Sequence, residues 1–274
     1  AAMRWTRTLL LTLVCGLTLV CGLWSLPPLV SAQAAVEHST RIWLGRYEEF
    51  EAFIRTAPIV RVESIPIGVT RPRHGFFAPG GLVAGVAIKA LRPSRATGYF
   101  ESYQSEIAAY EIDKLLGLDM VPPTVERQYE GQNVSVQLWV DGVVQRNALK
   151  GEQPPSQADW NRQTRRWVVF HNLIANIDPN QGNLLVVREP NWQLVLVDHS
   201  RAFTNTTRLV FPEMMGIDRP FLERLKTLDK SLLDPKIGKL VLDGSTSILK
   251  RRDLIVAQLE KLAKTKGEAV VFTP

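Results

Sequence analysis

The sequence predicts an α+β fold with two lobes, a small β-rich N-terminal lobe and a mainly helical C-terminal lobe. Strand-like apolar segments recur between residues 59 and 140, with turn residues between them. From residue 159 onward, long stretches have apolar residues at helical spacing. A polar segment containing Pro154-Pro155 separates the two regions, and we predict that it connects the lobes.

The first 34 residues are typical of an export signal. Arg4 and Arg7 precede an apolar run that extends to Leu26, and Ala32-Gln33-Ala34 provides a small-residue cleavage site. We therefore predict a signal peptide over residues 1–34 and an exported protein, either secreted, periplasmic or in the lumen of the secretory pathway. Because an internal repeat lengthens the apolar run, an uncleaved anchor is the alternative, and only in that case would the protein be bound to a membrane.

The rest of the composition argues against several classes of function. The net charge of +6 over 274 residues is too small to indicate a nucleic-acid partner. Both cysteines, Cys15 and Cys21, lie in the leader, so the exported part is predicted to have no disulfide. The four histidines lack metal-ligand spacing and no Gly-x-Ser-x-Gly motif occurs, so the sequence indicates neither a zinc enzyme nor a serine hydrolase.

The predicted elements follow one another in a simple order. Residues 35–58 are a lead-in segment with one short helix, 59–140 form the N-terminal lobe, 141–158 connect the lobes, and 159–274 form the C-terminal lobe. Within the N-terminal lobe we predict a strand over 59–68, a loop over 69–81, a strand over 82–91, a helix over 102–116 and a hairpin of strands 124–129 and 134–140. The C-terminal lobe begins with a helix from Asp159, as N-cap, to Ala175, and two short strands follow at 184–187 and 194–197.

A candidate metal site lies at the open end of the last hairpin. Antiparallel pairing of these two strands brings the residue before the first strand beside the residue after the second. Those residues are Asn183 and Asp198, and Asp178 lies in the loop just before them. Amide and carboxylate oxygens are the ligands that Mg²⁺ prefers when it also binds phosphate.

A lysine in an apolar strand is a second candidate. Lys89 ends the stretch Val86-Ala87-Ile88-Lys89, and burying its ammonium is costly unless an anion is nearby. A phosphate or a carboxylate of the 102–116 helix could supply that charge. At 100° per residue, the apolar face of this helix includes Glu111, whereas Glu106 lies almost opposite.

Taken in order, these motifs resemble an atypical kinase-like superfamily. It includes phosphatidylinositol 3/4-kinase-like enzymes, actin-fragmin kinase and the secretory-pathway kinases that phosphorylate proteins and xylose; uncharacterised exported bacterial proteins look similar. The matching stretches are Val86–Lys89, Ser105–Tyr110, Leu118–Thr124, Asn176–Asp178, Gly182-Asn183 and Val197–Phe203. Asp178 and Asn183 also have the Asp-x-x-x-x-Asn spacing of a kinase catalytic loop.

The resemblance implies a two-lobed kinase-like phosphotransferase that uses ATP and Mg²⁺ or Mn²⁺. Its substrate would be a hydroxyl-bearing protein or glycan, with a lipid less favoured. Lys89 would hold phosphate, Asp178 would be the catalytic base, and Asn183 and Asp198 would bind the metal. On the motif match, we predict that Glu106 rather than Glu111 is the partner of Lys89, and that it orients Lys89 or binds metal. The implied hinge, which would contact adenine, consists of Gln137, Leu138, Trp139 and Val140.

Three features depart from the pattern of this superfamily. Pro179 follows Asp178 where many members have Arg, and His199-Ser200 follows Asp198 where Phe-Gly or Asn-Gly is usual. No Gly-x-Gly-x-x-Gly loop precedes Lys89, so only Gly75, Gly80 and Gly81 remain as candidates for covering the phosphates. An inactive kinase-like binding module, or pseudokinase, is therefore the alternative function. Loss of one of the four residues Lys89, Asp178, Asn183 and Asp198 would be typical of it, and all four are present.

Overall fold

The N-terminal part of the chain contains a five-stranded antiparallel sheet. The computed structural model describes residues 41–66, 72–95, 99–178 and 180–274, the side chain of residue 181 excepted. The sheet has the strand order β1-β2-β3-β5-β4. Its strands are β1 (Ile59–Ser64), β2 (Arg73–Phe77), β3 (Gly85–Lys89), β4 (Thr124–Tyr129) and β5 (Gln132–Leu138). The predicted export signal lies outside the described residues, and none of the helices described is long and apolar enough to cross a membrane.

The two faces of this sheet have different partners, because successive residues of a strand point to opposite sides. In β3, Val86 and Ile88 are buried in an apolar cluster that includes Phe50 and Ile54 of helix α1 (Tyr47–Thr56). Lys89 lies on the other face of the same strand. Helix α1 therefore packs on one side of the sheet and the candidate site lies on the other.

Helix α2 (Tyr103–Leu116) begins and ends as the sequence predicts. The side chain of Ser102 accepts a backbone hydrogen bond in the first turn, and Gly117 adopts a φ of 55° that ends the helix. Near this end, the buried carboxylate of Asp113 accepts hydrogen bonds from the three backbone N–H groups of residues 119–121. The buried carboxylate thus holds the turn that leads from α2 to β4.

The C-terminal part is mainly helical. Its helices are α3 (Gln157–Leu173), α4 (Arg219–Thr227), α5 (Lys230–Ile237), α6 (Thr246–Lys266) and α7 (Glu268–Val271). A small antiparallel sheet contains β6 (Val143–Gln145), β7 (Leu184–Val187) and β8 (Gln193–Leu196), and a parallel pair is formed by β9 (Ile217–Asp218) and β10 (Phe272–Thr273). Residues of α2, α3, α4 and α6 share one large apolar core, and the hairpin of β7 and β8 packs against this core.

The predicted loop over residues 69–81 is wrong, because this segment contains β2. Gly75 lies in the middle of β2, and a Cβ atom there would come within 2.9 Å of the side chain of Ile88 on β3. This glycine therefore marks the close packing of two strands. Helix α3 also begins earlier than predicted: Ser156 Oγ accepts a hydrogen bond from Asp159 N at 3.3 Å, so Ser156 and not Asp159 is the N-cap.

Candidate active site

Lys89 contacts two carboxylates from different parts of the chain. Its Nζ lies 2.6 Å from Glu106 Oε1, on the first turns of α2, and 2.8 Å from Asp198 Oδ1, just after β8. Lys89 and Glu106 are buried, with 8% and 1% of their surfaces exposed. The end of β3, helix α2 and the segment after β8 therefore meet at one ammonium group.

Glu106 uses both carboxylate oxygens in this cluster. While Oε1 binds Lys89, Oε2 accepts a hydrogen bond from the backbone N–H of His199 at 3.0 Å. Glu111, which helical periodicity favours, lies instead 3.6 Å from Lys114 on the same helix. The residue that contacts Lys89 is thus the one chosen on the motif match.

The charges of the cluster stabilise one another, although burial opposes them. Burial acts to lower the pKa of Lys89, but Asp198 and Glu106 together raise it above its ordinary value. Burial raises the pKa of Glu106, only partly opposed by Lys89. Burial also acts against ionised Asp198, yet the ion pair with Lys89 holds its pKa below the usual range. With all three groups ionised, two carboxylates face one ammonium, so the cluster retains an excess negative charge.

Asn183 and Asp198 lie together at the open end of the β7–β8 hairpin, as the pairing argument predicts. The backbone N–H of Val197 donates to the carbonyl of Asn183 at 3.2 Å, which extends the ladder to the residue next to Asp198. Asp198 adopts a φ of 62°, a left-handed conformation that is uncommon outside glycine. Ser200 Oγ donates to Asp198 Oδ1 at 3.1 Å.

The donor set at this end of the hairpin fits a divalent cation bound jointly with phosphate. Lys89 and Ser200 both bind Asp198 Oδ1, and no hydrogen bond from the described residues reaches Asp198 Oδ2, so this oxygen is left for a cation. Within those residues, no three His, Cys, Asp or Glu side chains are grouped to hold a metal by themselves. One carboxylate and one amide are few ligands for a complete protein site, but Mg²⁺ commonly completes its coordination with water and phosphate oxygens.

Asp178 lies on the loop between α3 and the hairpin, and its backbone is held by a short network. Its N–H donates to Asn176 Oδ1 at 3.1 Å, and its own Oδ1 accepts from the N–H of Asn180 at 3.1 Å. The other oxygen, Oδ2, faces Arg201 Nη1 at 3.7 Å, and 23% of the side chain is exposed. Among the described residues Asp178 makes no hydrogen bond or ion pair with the Lys89 cluster. Of the four predicted residues, Lys89 and Asp198 are therefore in direct contact, Asn183 lies at the same end of the hairpin as Asp198, and Asp178 lies on a neighbouring loop.

The predicted hinge residues lie at the end of β5. Gln137 is buried and donates through Nε2 to Thr124 Oγ1 at 2.9 Å. The N–H groups of Leu138 and Trp139 bind the carbonyls of Pro123 and Gly85. Of these hinge amides, that of Val140 has no hydrogen-bond partner in the described part of the chain, so it is the donor left for a ligand.

Solved structures with a fold similar to that of this chain include kinases. The chain matches no protein-family model and no curated protein. The Golgi casein kinase with Mn/ADP bound superposes with a TM-score of 0.62 at 15% identity, over 82% of this chain and 78% of that one. A hydra Fam20 structure with sugar gives a TM-score of 0.60 at 16% identity, over 82% and 91%.

The fold is kinase-like. A second structure of the Golgi casein kinase agrees, with a TM-score of 0.63 at 13% identity over 82% of this chain and 77% of that one. The predicted fold class is therefore confirmed, with the β-rich part N-terminal and the helical part C-terminal.

The sequence does not reveal the aromatic contact between His74 and Trp139. His74 falls within the predicted loop over residues 69–81, but it belongs to β2 and lies on the same sheet face as Lys89. Its ring stacks on Trp139, with ring centroids 3.9 Å apart and an angle of 17° between the ring planes. A Cβ on Gly85 would come within 2.5 Å of His74 Nε2, so glycine is needed there to admit the ring. The only available signal was alternation within β2, which the surrounding Gly and Pro residues hid.

Two of the three candidate glycines, Gly75 and Gly81, pack on the α1 side of the sheet, away from Lys89. A Cβ on Gly81 would meet the ring of Phe53 of α1. The connection between β1 and β2 includes residues 67–71, which lie outside the described residues.

The ring of His199, unlike its backbone N–H, makes no hydrogen bond within the described part of the chain. Its ring is completely buried, and burial followed by the nearby Lys89 charge lowers its pKa to about 3, so it is neutral. It packs edge-on against Phe170 of α3, with centroids 6.0 Å apart. Ser200, the next residue, supports Asp198 directly through its Oγ.

Proposed function

We propose that this protein is an exported kinase-like phosphotransferase that moves the γ-phosphate of ATP to a hydroxyl group of a protein or glycan. The observation that carries the proposal is the buried cluster in which Lys89 binds both Glu106 and Asp198. Kinases use a strand lysine, a helix glutamate and an aspartate in this way to place the nucleotide phosphates and metal ions.

Each site residue then has a definite part in the reaction. Lys89 would bind phosphate oxygens, and Asn183 and Asp198 would hold Mg²⁺ or Mn²⁺, which supplies positive charge to the phosphates when bound. Asp178, whose carboxylate is partly open to solvent, would accept the proton of the attacking hydroxyl. The backbone of residues 137–140 would contact adenine, with the unbonded Val140 N–H as a donor.

The choice of substrate class and compartment is supported more indirectly. The export signal predicted over residues 1–34 would deliver the domain to a compartment outside the cytoplasm, and a membrane would be involved only if that leader is retained. One structural neighbour carries Mn and ADP and another carries a sugar, each a property of that protein. These observations favour Mn²⁺-ATP as the first nucleotide to test, with protein and glycan acceptors ahead of lipids.

The proposal can be tested by nucleotide binding and phosphotransfer together. The folded protein is titrated with Mn²⁺-ATP in a thermal-shift assay and then incubated with acidic protein and glycan acceptors under labelled ATP. At about 100 times the dissociation constant, ligand binding stabilises by roughly 2.7 kcal/mol, so a clear shift is expected. Asp198→Ala should abolish the shift, whereas Asp253→Ala, which removes an exposed carboxylate on α6, should not.

The pseudokinase alternative makes a different prediction in the same assay. A binding module would transfer no phosphate to any acceptor or to itself. Asp178→Asn would then change nucleotide binding and the free energy of unfolding no more than an ordinary surface substitution does. If wild type shows neither a Mn²⁺-ATP shift nor phosphotransfer, the enzyme proposal is withdrawn.

A further inference from the structure

Arg201 joins the loop of Asp178 to the segment that leads into α2. Its Nε lies 2.7 Å from Glu101 Oε1, and its Nη1 lies 3.7 Å from Asp178 Oδ2. Glu101 is buried, with 3% of its surface exposed, and the Arg201 side chain is 22% exposed. Its guanidinium also lies 5.0 Å from the ring centroid of Tyr99. One arginine therefore faces two carboxylates that are 77 residues apart in sequence.

Both ends of this bridge are fixed by backbone hydrogen bonds. Glu101 and Ser94 exchange two backbone hydrogen bonds of 3.0 Å, and the N–H of Ser102 donates to the carbonyl of Ser200 at 2.9 Å. Ser102 is also the N-cap of α2, the helix that carries Glu106. The Glu101–Arg201 pair consequently sits on a rigid junction between α2 and the segment that follows Asp198.

The chain offers Asp178 no charge partner from its own loop. The next residue, Pro179, has neither a charge nor a backbone N–H to donate. Within the described residues, Arg201 is the one cation that forms an ion pair with Asp178. The separation of 3.7 Å is longer than a hydrogen bond, so the carboxylate is held electrostatically while its oxygen stays available to accept a proton.

We propose that Arg201 is a positioning residue for the base. Held by Glu101, it orients the Asp178 carboxylate, and it ties that orientation to the placement of α2. This inference rests on the proposed phosphotransferase function.

The test separates the base from nucleotide binding. kcat and KM for Mn²⁺-ATP, together with the Mn²⁺-ATP thermal shift, are measured for wild type, Arg201→Ala, Arg201→Lys and Glu101→Gln. Because misplacing a reacting group by about 1 Å can cost 10²-fold, Arg201→Ala should lower kcat by about 100-fold. KM and the thermal shift should change less than about twofold, since Arg201 forms no ion pair with Lys89, Asn183 or Asp198 among the described residues.

The other variants distinguish positioning from general loss of structure. A lysine is a point charge that does not span both carboxylates, so Arg201→Lys should recover only part of kcat. Glu101→Gln should lower kcat by about 10-fold, and combining it with Arg201→Ala should add nothing, because both changes break one unit. The matched control is Arg162→Ala, which breaks an exposed pair with Asp159 in the first turns of α3 and should leave kcat unchanged.

Each contrary result has its own meaning. If wild type transfers phosphate but Arg201→Ala retains its kcat, or if it loses kcat and nucleotide affinity in proportion, the positioning role is overturned while the proposed function stands. If Arg201→Ala does not fold, Arg201→Lys and Glu101→Gln decide the question, and unchanged kcat in both overturns the role. Wild type without phosphotransfer overturns the proposed function and this inference with it.

Discussion

Replacing Lys89 with Met should destabilise the protein by roughly 3 kcal/mol at neutral pH. The substitution keeps the apolar stem but leaves two carboxylates facing each other without a cation. Asp198 can turn toward water, since 29% of its side chain is exposed, whereas Glu106 is 1% exposed and has no such escape. Breaking a buried ion pair from one side typically costs about 3–5 kcal/mol, and partial relaxation of Asp198 places the expected loss at the lower end.

The loss should depend on pH, because Glu106 can bind a proton. Burial already raises the pKa of Glu106 in the presence of Lys89, and removal of the ammonium must raise it further. A carboxyl whose folded-state pKa lies above its unfolded value favours folding at low pH and loses that contribution as pH rises through the folded-state pKa. The difference between Lys89→Met and wild type should therefore be small near pH 4 and grow toward neutral pH.

Urea unfolding followed by tryptophan fluorescence, at several pH values, measures this directly. The double variant Lys89→Met/Glu106→Gln should recover at least half of the lost stability, because it removes the stranded charge. Lys236→Met, on the exposed surface of α5, controls for the change of residue type and should stay within about 0.5 kcal/mol of wild type. A loss below about 1 kcal/mol at pH 7, or a double variant no more stable than the single one, would refute the reasoning.

Three further predictions concern other parts of the molecule. Burial raises the pKa of Asp113 to about 7, so the folded state binds this proton more tightly than the unfolded state. The free energy of unfolding should therefore fall as the pH rises from about 4 to about 7, and Asp113→Asn should reduce this pH dependence in urea titrations. Arg251 is completely buried and donates to the carbonyl of Leu173 at the end of α3, so Arg251→Ala should cost about 2–3 kcal/mol of unfolding free energy. His74→Ala removes a ring that stacks on Trp139 beside the predicted hinge. Such a pair contributes about 0.5–1.5 kcal/mol, and if this energy holds the hinge in place for ATP, KM for Mn²⁺-ATP should rise about 2- to 12-fold while kcat is maintained.

Local signals in the sequence predict an element correctly where one of its faces is exposed and the other is buried, or where a capping residue is present. The ends of α2 follow from Ser102 and Gly117, and the hairpin that joins Asn183 to Asp198 follows from two short apolar strands around a turn. The strand β2 was missed because its identity depends on pairing with β1 and β3 on both sides, which a segment rich in Gly, Pro and Arg does not reveal.

The choice between Glu106 and Glu111 shows why periodicity fails at such a site. Ten of the fourteen residues of α2 are buried, so the helix has no single apolar face for a 100° wheel to find. One side packs in the core and the other faces the cleft, where a glutamate is buried because Lys89 neutralises it. The order of motifs along the chain contains this information, whereas the local pattern of polarity does not.

Helix α2 has a special position in the architecture, because three independent contacts of the site depend on it. Glu106 binds Lys89 of β3 with one oxygen and the N–H of His199 with the other, and Ser102 at its start binds the carbonyl of Ser200. All three contacts converge on the segment 198–200 or on its partner lysine. A shift of α2 by the length of one hydrogen bond would therefore separate Lys89 from Glu106 and release the backbone that orients Asp198 at the same time. The placement of this helix, more than any single side chain, therefore determines whether the cluster of Lys89, Glu106 and Asp198 forms.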